Sequence, residues 1–266
     1  MTKYVDISMR IADPIDEFRL FDMARDGAAA AELYGRIAPR AEEGRCVLAP
    51  PLYYLLAAGA ADVRAVNDHV LAQARQDAKV VATVGVVEPK HDDEAVRELE
   101  RLASLGAKGV MWSPRAQGMF SDDTRLGPLL RRAHELGLRS IFRAAAYSMN
   151  EALWRTWRLA RQLPEIPIIV TGALQNYDNG QLIEAGAGGP DNVVYDTAGW
   201  TTSTNPVRML AVLGEERLLF GSGALGPADE AAAALERHLQ RSGVAAAVIE
   251  RVMWKNAASH VRLELA

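Results

Sequence analysis

The chain has 266 residues, 49% of them hydrophobic, and a formal charge of −4. Its length allows one sizeable core, and its slight acidity argues against a general nucleic-acid binder, which carries a clustered basic face. No apolar run reaches membrane-spanning length, and the one cysteine, Cys46, excludes an internal disulfide.

Short β-type runs recur, each followed by a polar turn and a longer segment of helical period. The first is YVDIS (4–8), within the stretch YVDISMRI. Alternation there sets Asp6, Ser8 and Arg10 on one face and Val5, Ile7 and Met9 on the other. Region 15–44 is longer than one crossover needs and is expected to hold an active-face insertion and a helix. RCVLA (45–49) is the second run, followed by a helix over 61–77. KVVATVGVV (79–87) precedes a helix over 92–105, which has acidic residues at its start and apolar ones at i, i+3, i+4 and i+7. KGVMWS (108–113) leads to a helix over 123–136, stopped by Gly137. RSIFRA (139–144) leads to a helix over 148–163, and IPIIVT (166–171) follows. AGAGGP (185–190) follows a helix rather than preceding one, so it reads as a loop and not a phosphate cradle. NVVYD (192–196), RLLFGS (217–222), a helix over 227–242 and further helices within 243–264 complete the chain.

Eight strands alternating with helices predict an α/β fold, a (β/α)8 TIM barrel with extra C-terminal helices, as one domain over residues 1–266. A doubly wound sheet would show a glycine-rich turn after its first strand, and none is there. With no leader sequence visible, a cytoplasmic location is expected, with no nucleic-acid or membrane partner and with self-association into a homo-oligomer left open.

Barrel chemistry sits at the C-terminal strand ends. Those ends carry Ser8 and Arg10, Ser113 and Pro114, Arg143, Thr171 and Gly172, Tyr195 and Asp196, and Ser222 and Gly223. None of the five histidines (His69, His91, His134, His238, His260) falls there; each belongs to a helical segment, so no imidazole metal site is assembled. Cys46 begins a strand and reads as a small core thiol.

Several phrases in order resemble the amidohydrolase-related family of metal-dependent hydrolase and decarboxylase barrels. They are NDHVLAQARQDAKVVATVGVVEP, GAKGVMWSP with DDTRLGPLLRRAHELGLRSIF, DNVVYDTAGW, RLLFGSGAL and WKNAASHVRL. The resemblance implies the barrel fold and hydrolysis, lactone opening or decarboxylation. It also implies metal ligands that are missing. The first strand's D-x-H-x-H reads Asp6-Ile7-Ser8-Met9-Arg10, and the fourth strand's His-Pro reads Ser113-Pro114. The histidines of strands five and six fall on Arg143 and Gly172, and Gly223 stands where the eighth strand's Asp is expected.

The expected reading is a barrel that works without metal or other cofactor on a small anionic, carboxylated metabolite. Arg10 and Arg143 would clamp the anion, and Asp196 would transfer the proton, with Tyr147 and Tyr195 as weaker candidates. Ser8 and Ser113 would be polar substrate contacts. Asn176, Trp112 and Trp200 are candidates to line the cleft, although core packing explains the tryptophans equally well. The alternative is a non-catalytic binding or scaffold subunit whose arginines fold back onto Asp6 and Asp196.

Overall fold

The computed structural model describes residues 3–10, 44–50, 60–145, 147–200, 205–223 and 228–263. The insertion and helix expected within 15–44 therefore lie outside the described residues, apart from Gly44.

Eight strands lie in the order β1 to β8, each parallel to the next. They are β1 (Val5–Arg10), β2 (Arg45–Ala49), β3 (Val80–Val86), β4 (Gly109–Trp112), β5 (Arg139–Arg143), β6 (Ile168–Thr171), β7 (Val193–Asp196) and β8 (Leu218–Leu219). The Ile7 amide donates to the Phe220 carbonyl at 3.2 Å, which brings β8 back beside β1. The arrangement is a (β/α)8 barrel. Strands and helices fall where the periodicity puts them, mostly shorter by one to a few residues at each end, since pattern signals extend past the last ladder bond. β8 is the most shortened: only Leu218 and Leu219 of the 217–222 run pair as strand.

The helices are α1 (Ala60–Ala74), α2 (Asp93–Ser104), α3 (Leu126–Glu135), α4 (Leu153–Gln162), α5 (Tyr177–Ala185), α6 (Pro206–Leu213) and α7 (Ala228–Arg241). The expected C-terminal helices are α8 (Ala246–Glu250), a π-helical turn over Arg251–Lys255 and α9 (Asn256–Val261). AGAGGP is indeed a loop, tied by the Arg217 guanidinium to the carbonyls of Gly188 and Pro190.

Two apolar layers divide the strand residues by alternation. Val110, Trp112, Phe142, Val170 and Tyr195 pack with Leu99, Leu126, Leu130, Leu153 and Trp157 of the surrounding helices. Val84, Val86, Met111, Ile141, Ile169, Val194 and Leu219 join a second cluster, the barrel interior, which continues to Ala257 and Val261 of α9. Gly85 confirms the phase: a Cβ there would meet Leu102 of α2 at 2.5 Å, so the helix side chain packs directly over this position of β3. Where the β2–β3 pairing ends, Asn67 of α1 takes over. Its side chain accepts from the Val86 amide and donates to the Val86 carbonyl, each at 2.8 Å.

Candidate functional site

One position-pair beyond the interior layer, toward the C-terminal ends, the same inward phase reaches polar residues. Two residues on from Met111, Ile141, Ile169 and Val194 stand Ser113, Arg143, Thr171 and Asp196, all buried. Four adjacent strands thus change from aliphatic to polar at the same level, which builds a polar floor at the barrel mouth.

Asp196 is fully buried and held at both oxygens. Thr171 Oγ1 donates to Oδ2 at 2.6 Å, and the amides of Gly172 and Ala198 donate to Oδ1 at 3.0 and 3.1 Å. These three donors fix the orientation of the carboxyl group. Gly172 has φ 77°, a conformation open to glycine, which lets its amide reach the carboxylate from the end of β6.

Asp6 and Ser8 serve the seam between β1 and β8. Asp6 Oδ1 accepts from the Ser8 amide at 2.9 Å, the Ser8 hydroxyl at 3.1 Å and the Ser222 amide at 3.0 Å. Ser8 Oγ in turn accepts from the Gly223 amide at 2.7 Å. Side chains of β1 thereby replace ladder bonds that the two-residue β8 cannot offer. Gly221 lies between this seam and β7: a Cβ there would sit 2.8 Å from both Asp196 Oδ2 and Ser8 Oγ. The expected substrate contact Ser8 is thus a bridge between strands.

Arg143 is buried and paired with two groups from the loop after β5. Its Nε donates to Glu151 Oε2 at 3.2 Å, and its Nη2 donates to Tyr147 Oη at 3.0 Å. Glu151 also accepts from the Arg115 amide at 3.3 Å. Burial pushes the Glu151 carboxyl up, and the Arg143 charge pulls against it. Glu151 was not visible in the sequence as a site residue, because it lies in the loop after β5 and no motif marks it. Tyr147, by contrast, lies beside Arg143 with most of its surface exposed. Ser113 sits at the end of β4 with its hydroxyl buried and without a partner among the described residues. Its amide donates to Gln117 Oε1, and Gln117 Nε2 donates to the Val87 carbonyl, so Gln117 clamps the ends of β3 and β4. The backbone of Arg10 ends β1; its side chain lies outside the described residues.

Three expected cleft residues go elsewhere. Trp112 is one step out of phase with Ser113, so it faces the helices and stacks on Phe142 at 6.0 Å. Trp200 packs against the His238 ring of α7 at 5.1 Å. Asn176 caps α5 by accepting from the Asp178 amide at 2.7 Å. Tyr195 is outward as well: its hydroxyl accepts from Trp157 Nε1 at 2.7 Å and donates to the Gly188 carbonyl at 3.0 Å. Burial pushes its phenol far up, away from proton transfer near neutrality. The Cys46 thiol is buried and pushed up likewise, as a core residue.

A parallel eight-stranded barrel with a ring of buried polar side chains at the C-terminal ends of its strands defines a TIM-barrel protein whose site faces that mouth. Residues 11–263 match the amidohydrolase family, and the chain belongs to it. No curated protein matches the chain by sequence. Solved structures do. The 5-carboxyvanillate decarboxylase of Novosphingobium aromaticivorans, with bound manganese and a nitrobenzoic acid, superposes with TM-score 0.70 at 18% identity, covering 98% of this chain and 97% of that one. The 2,6-dihydroxybenzoate decarboxylase from Rhizobium gives 0.71 at 15% identity over 98% and 99%. An uncharacterised TIM-barrel protein from Bordetella bronchiseptica gives 0.67 at 18% over 98% and 99%. Identities this low speak for the fold.

Among the described residues, the donor set at this mouth does not fit a divalent transition metal of the family kind. Such a site needs several imidazole, thiolate or carboxylate donors converging with open lone pairs. Here Asp196 is engaged by three protein donors and Asp6 Oδ1 by three more. Arg143 brings a positive charge to the same layer, and no group of three or more His, Cys, Asp or Glu converges among the described residues.

Proposed function

We propose that this amidohydrolase-family barrel acts without a metal on a small carboxylated metabolite, as a hydrolase or lactonase or as a decarboxylase or lyase. The observation that carries the reading is the buried Arg143 guanidinium at the end of β5, where the family resemblance places a ligand histidine, held in one orientation by Glu151 and Tyr147. A fixed guanidinium binds a carboxylate and stabilises developing oxyanion charge without needing to reorganise. Arg10, at the end of β1, is the second arm of the clamp. Asp196, with its carboxylate orientation set by Thr171, Gly172 and Ala198, is the group that exchanges a proton with substrate. That the structurally similar decarboxylases are named for carboxylated phenols supports a carboxylated aromatic as the first class to test.

Isothermal titration calorimetry with 2,6-dihydroxybenzoate and a panel of aliphatic carboxylates tests this. Saturable binding that falls at least about tenfold in Arg143→Met, the loss of one charge-assisted contact, is the expected result. Binding unchanged in that variant, or no binding by any member of the panel, would remove the clamp.

A further inference from the structure

The end of the barrel opposite the mouth gathers positive charge. Arg139 opens β5 in the same phase as Ile141 of the barrel interior, so its side chain belongs to the inside of the barrel at the N-terminal ends of the strands. Its partner in the β4–β5 register is Gly109, which brings no side chain to that level. The chain returns here at the end of α9, on Arg262, whose backbone is left-handed at φ 57°, a conformation uncommon outside glycine. Arg262 Nη1 lies 3.8 Å from where a Cβ on Gly137 would stand, two residues before Arg139.

Neither guanidinium makes a hydrogen bond or an ion pair among the described residues, and Arg139 Nε is buried without a partner. The charge that does act on Arg139 is the like charge of Arg262, which adds to burial in pushing its pKa down. The acids of the same end are engaged elsewhere. Glu215 and Glu216, in the turn before β8, pair with Arg251 at 3.5 and 3.6 Å. His260 of α9 donates from Nε2 to the Glu216 carbonyl at 2.9 Å, and burial and the Arg139 charge push its pKa down. Arginines of the helix surface behave differently: Arg101, Arg132 and Arg208 each meet a carboxylate.

We infer that Arg139 and Arg262 form a second ligand site, at the N-terminal end of the barrel, for a doubly charged phosphate group, free or as a monoester. A lysine or histidine in such a place sheds its proton to escape the cost of burial, but arginine keeps its charge. A partly desolvated guanidinium beside a like charge is costly until an anion joins it. Two guanidinium forks offer their N–H groups to the oxygens of one tetrahedral anion. Two positive charges with no acid between them match a dianion better than a single carboxylate.

The site is separate from the one proposed at the mouth and does not rest on it. Arg139 and Arg143 stand four residues apart on one face of β5, about 13 Å by strand rise, at opposite ends of the barrel. Chemistry in this fold belongs to the mouth and stability to the opposite end. The anion therefore acts as a fastener: it joins the end of α9, whose Ala257 and Val261 continue the interior cluster, to the start of β5.

Isothermal titration calorimetry with inorganic phosphate, methyl phosphate and acetate, at constant ionic strength, tests the inference. Wild type should bind a phosphate saturably. Arg139→Met and Arg262→Gln should each bind it at least about tenfold more weakly, the loss of one charge-assisted contact. Arg143→Met, which alters the mouth, should leave this binding in place. No saturable binding, acetate bound as tightly as phosphate, or binding lost in Arg143→Met and kept in Arg139→Met overturns the inference. Binding that appears only in a chain ending at Leu263 overturns it too, because carboxylates of residues 264–266 are then the occupants. Arg262 is exposed, so its variant decides if Arg139→Met does not fold. Melting temperatures give a second reading. With phosphate at about a hundred times its Kd, wild type should melt roughly 5–10 °C higher. Arg139→Met, which shares any general stabilisation by the salt, should gain far less. Without phosphate the variant should melt no lower than wild type, since methionine removes an uncompensated charge. Equal losses with and without phosphate would mark Arg139 as a packing residue and overturn the site.

Discussion

Removing one member of the Arg143–Glu151 pair while leaving the other strands a buried charge. The two side chains are 8% and 1% exposed, so water screens the pair little and the surface discount does not apply. Breaking such a pair costs about 3–5 kcal/mol, because the remaining ion keeps its desolvation penalty. For a chain of this length that lowers the melting temperature by roughly 6–20 °C. Glu151→Ala should fall in this range, since the Arg115 amide loses its acceptor as well. Arg143→Met should be milder, because a buried carboxyl escapes its penalty by taking up a proton, and burial already pushes Glu151 that way. The double variant Arg143→Met/Glu151→Leu, with apolar side chains in place of both, should be more stable than the sum of the singles by at least about 1 kcal/mol. Urea unfolding monitored by tryptophan fluorescence, with the m value held constant across the four proteins, gives the coupling. Costs that add within about 0.5 kcal/mol would refute the claim that Glu151 anchors the guanidinium.

Gly221→Ala should cost about 1–3 kcal/mol in the same assay, since its Cβ would press on Asp196 Oδ2 and Ser8 Oγ, two short side chains with fixed partners. A neutral substitution would mean that the mouth is looser than its hydrogen bonds suggest. Tyr195→Phe should cost about 1–3 kcal/mol by leaving Trp157 Nε1 and the Gly188 carbonyl without the hydroxyl between them. It should leave carboxylate binding unchanged, and a loss of binding would return Tyr195 to the site. Incubation with excess manganese followed by gel filtration and elemental analysis should leave far less than one ion per chain, given how fully the mouth's carboxylates are engaged. Retention of one manganese per chain would overturn the reading of the donor set.

Strand order and alternation located some of the strand-end residues. Asp196 and Arg143 were picked as strand-end residues, and both prove to be buried at the barrel mouth. The same logic failed at Trp112, which belongs to the right strand and the wrong face. A one-residue step reverses the direction of a side chain, and strand ends read from sequence are uncertain by that much. Asn176 and Trp200 lie in loops and at helix starts, where no period constrains direction.

By itself, the sequence determined the rhythm of strands and helices and a resemblance to the family to which the chain belongs. These are local facts, carried by period, composition and short motifs. Only the tertiary structure decided what the polar residues do with one another. Closure of the barrel sets Asp6 and Ser8 against the amides of Ser222 and Gly223, more than 200 residues away. It delivers Glu151 to Arg143 from a loop without a motif, and it supplies Asp196 with donors at both oxygens. How donors are shared among these side chains exists only once β8 has returned to β1.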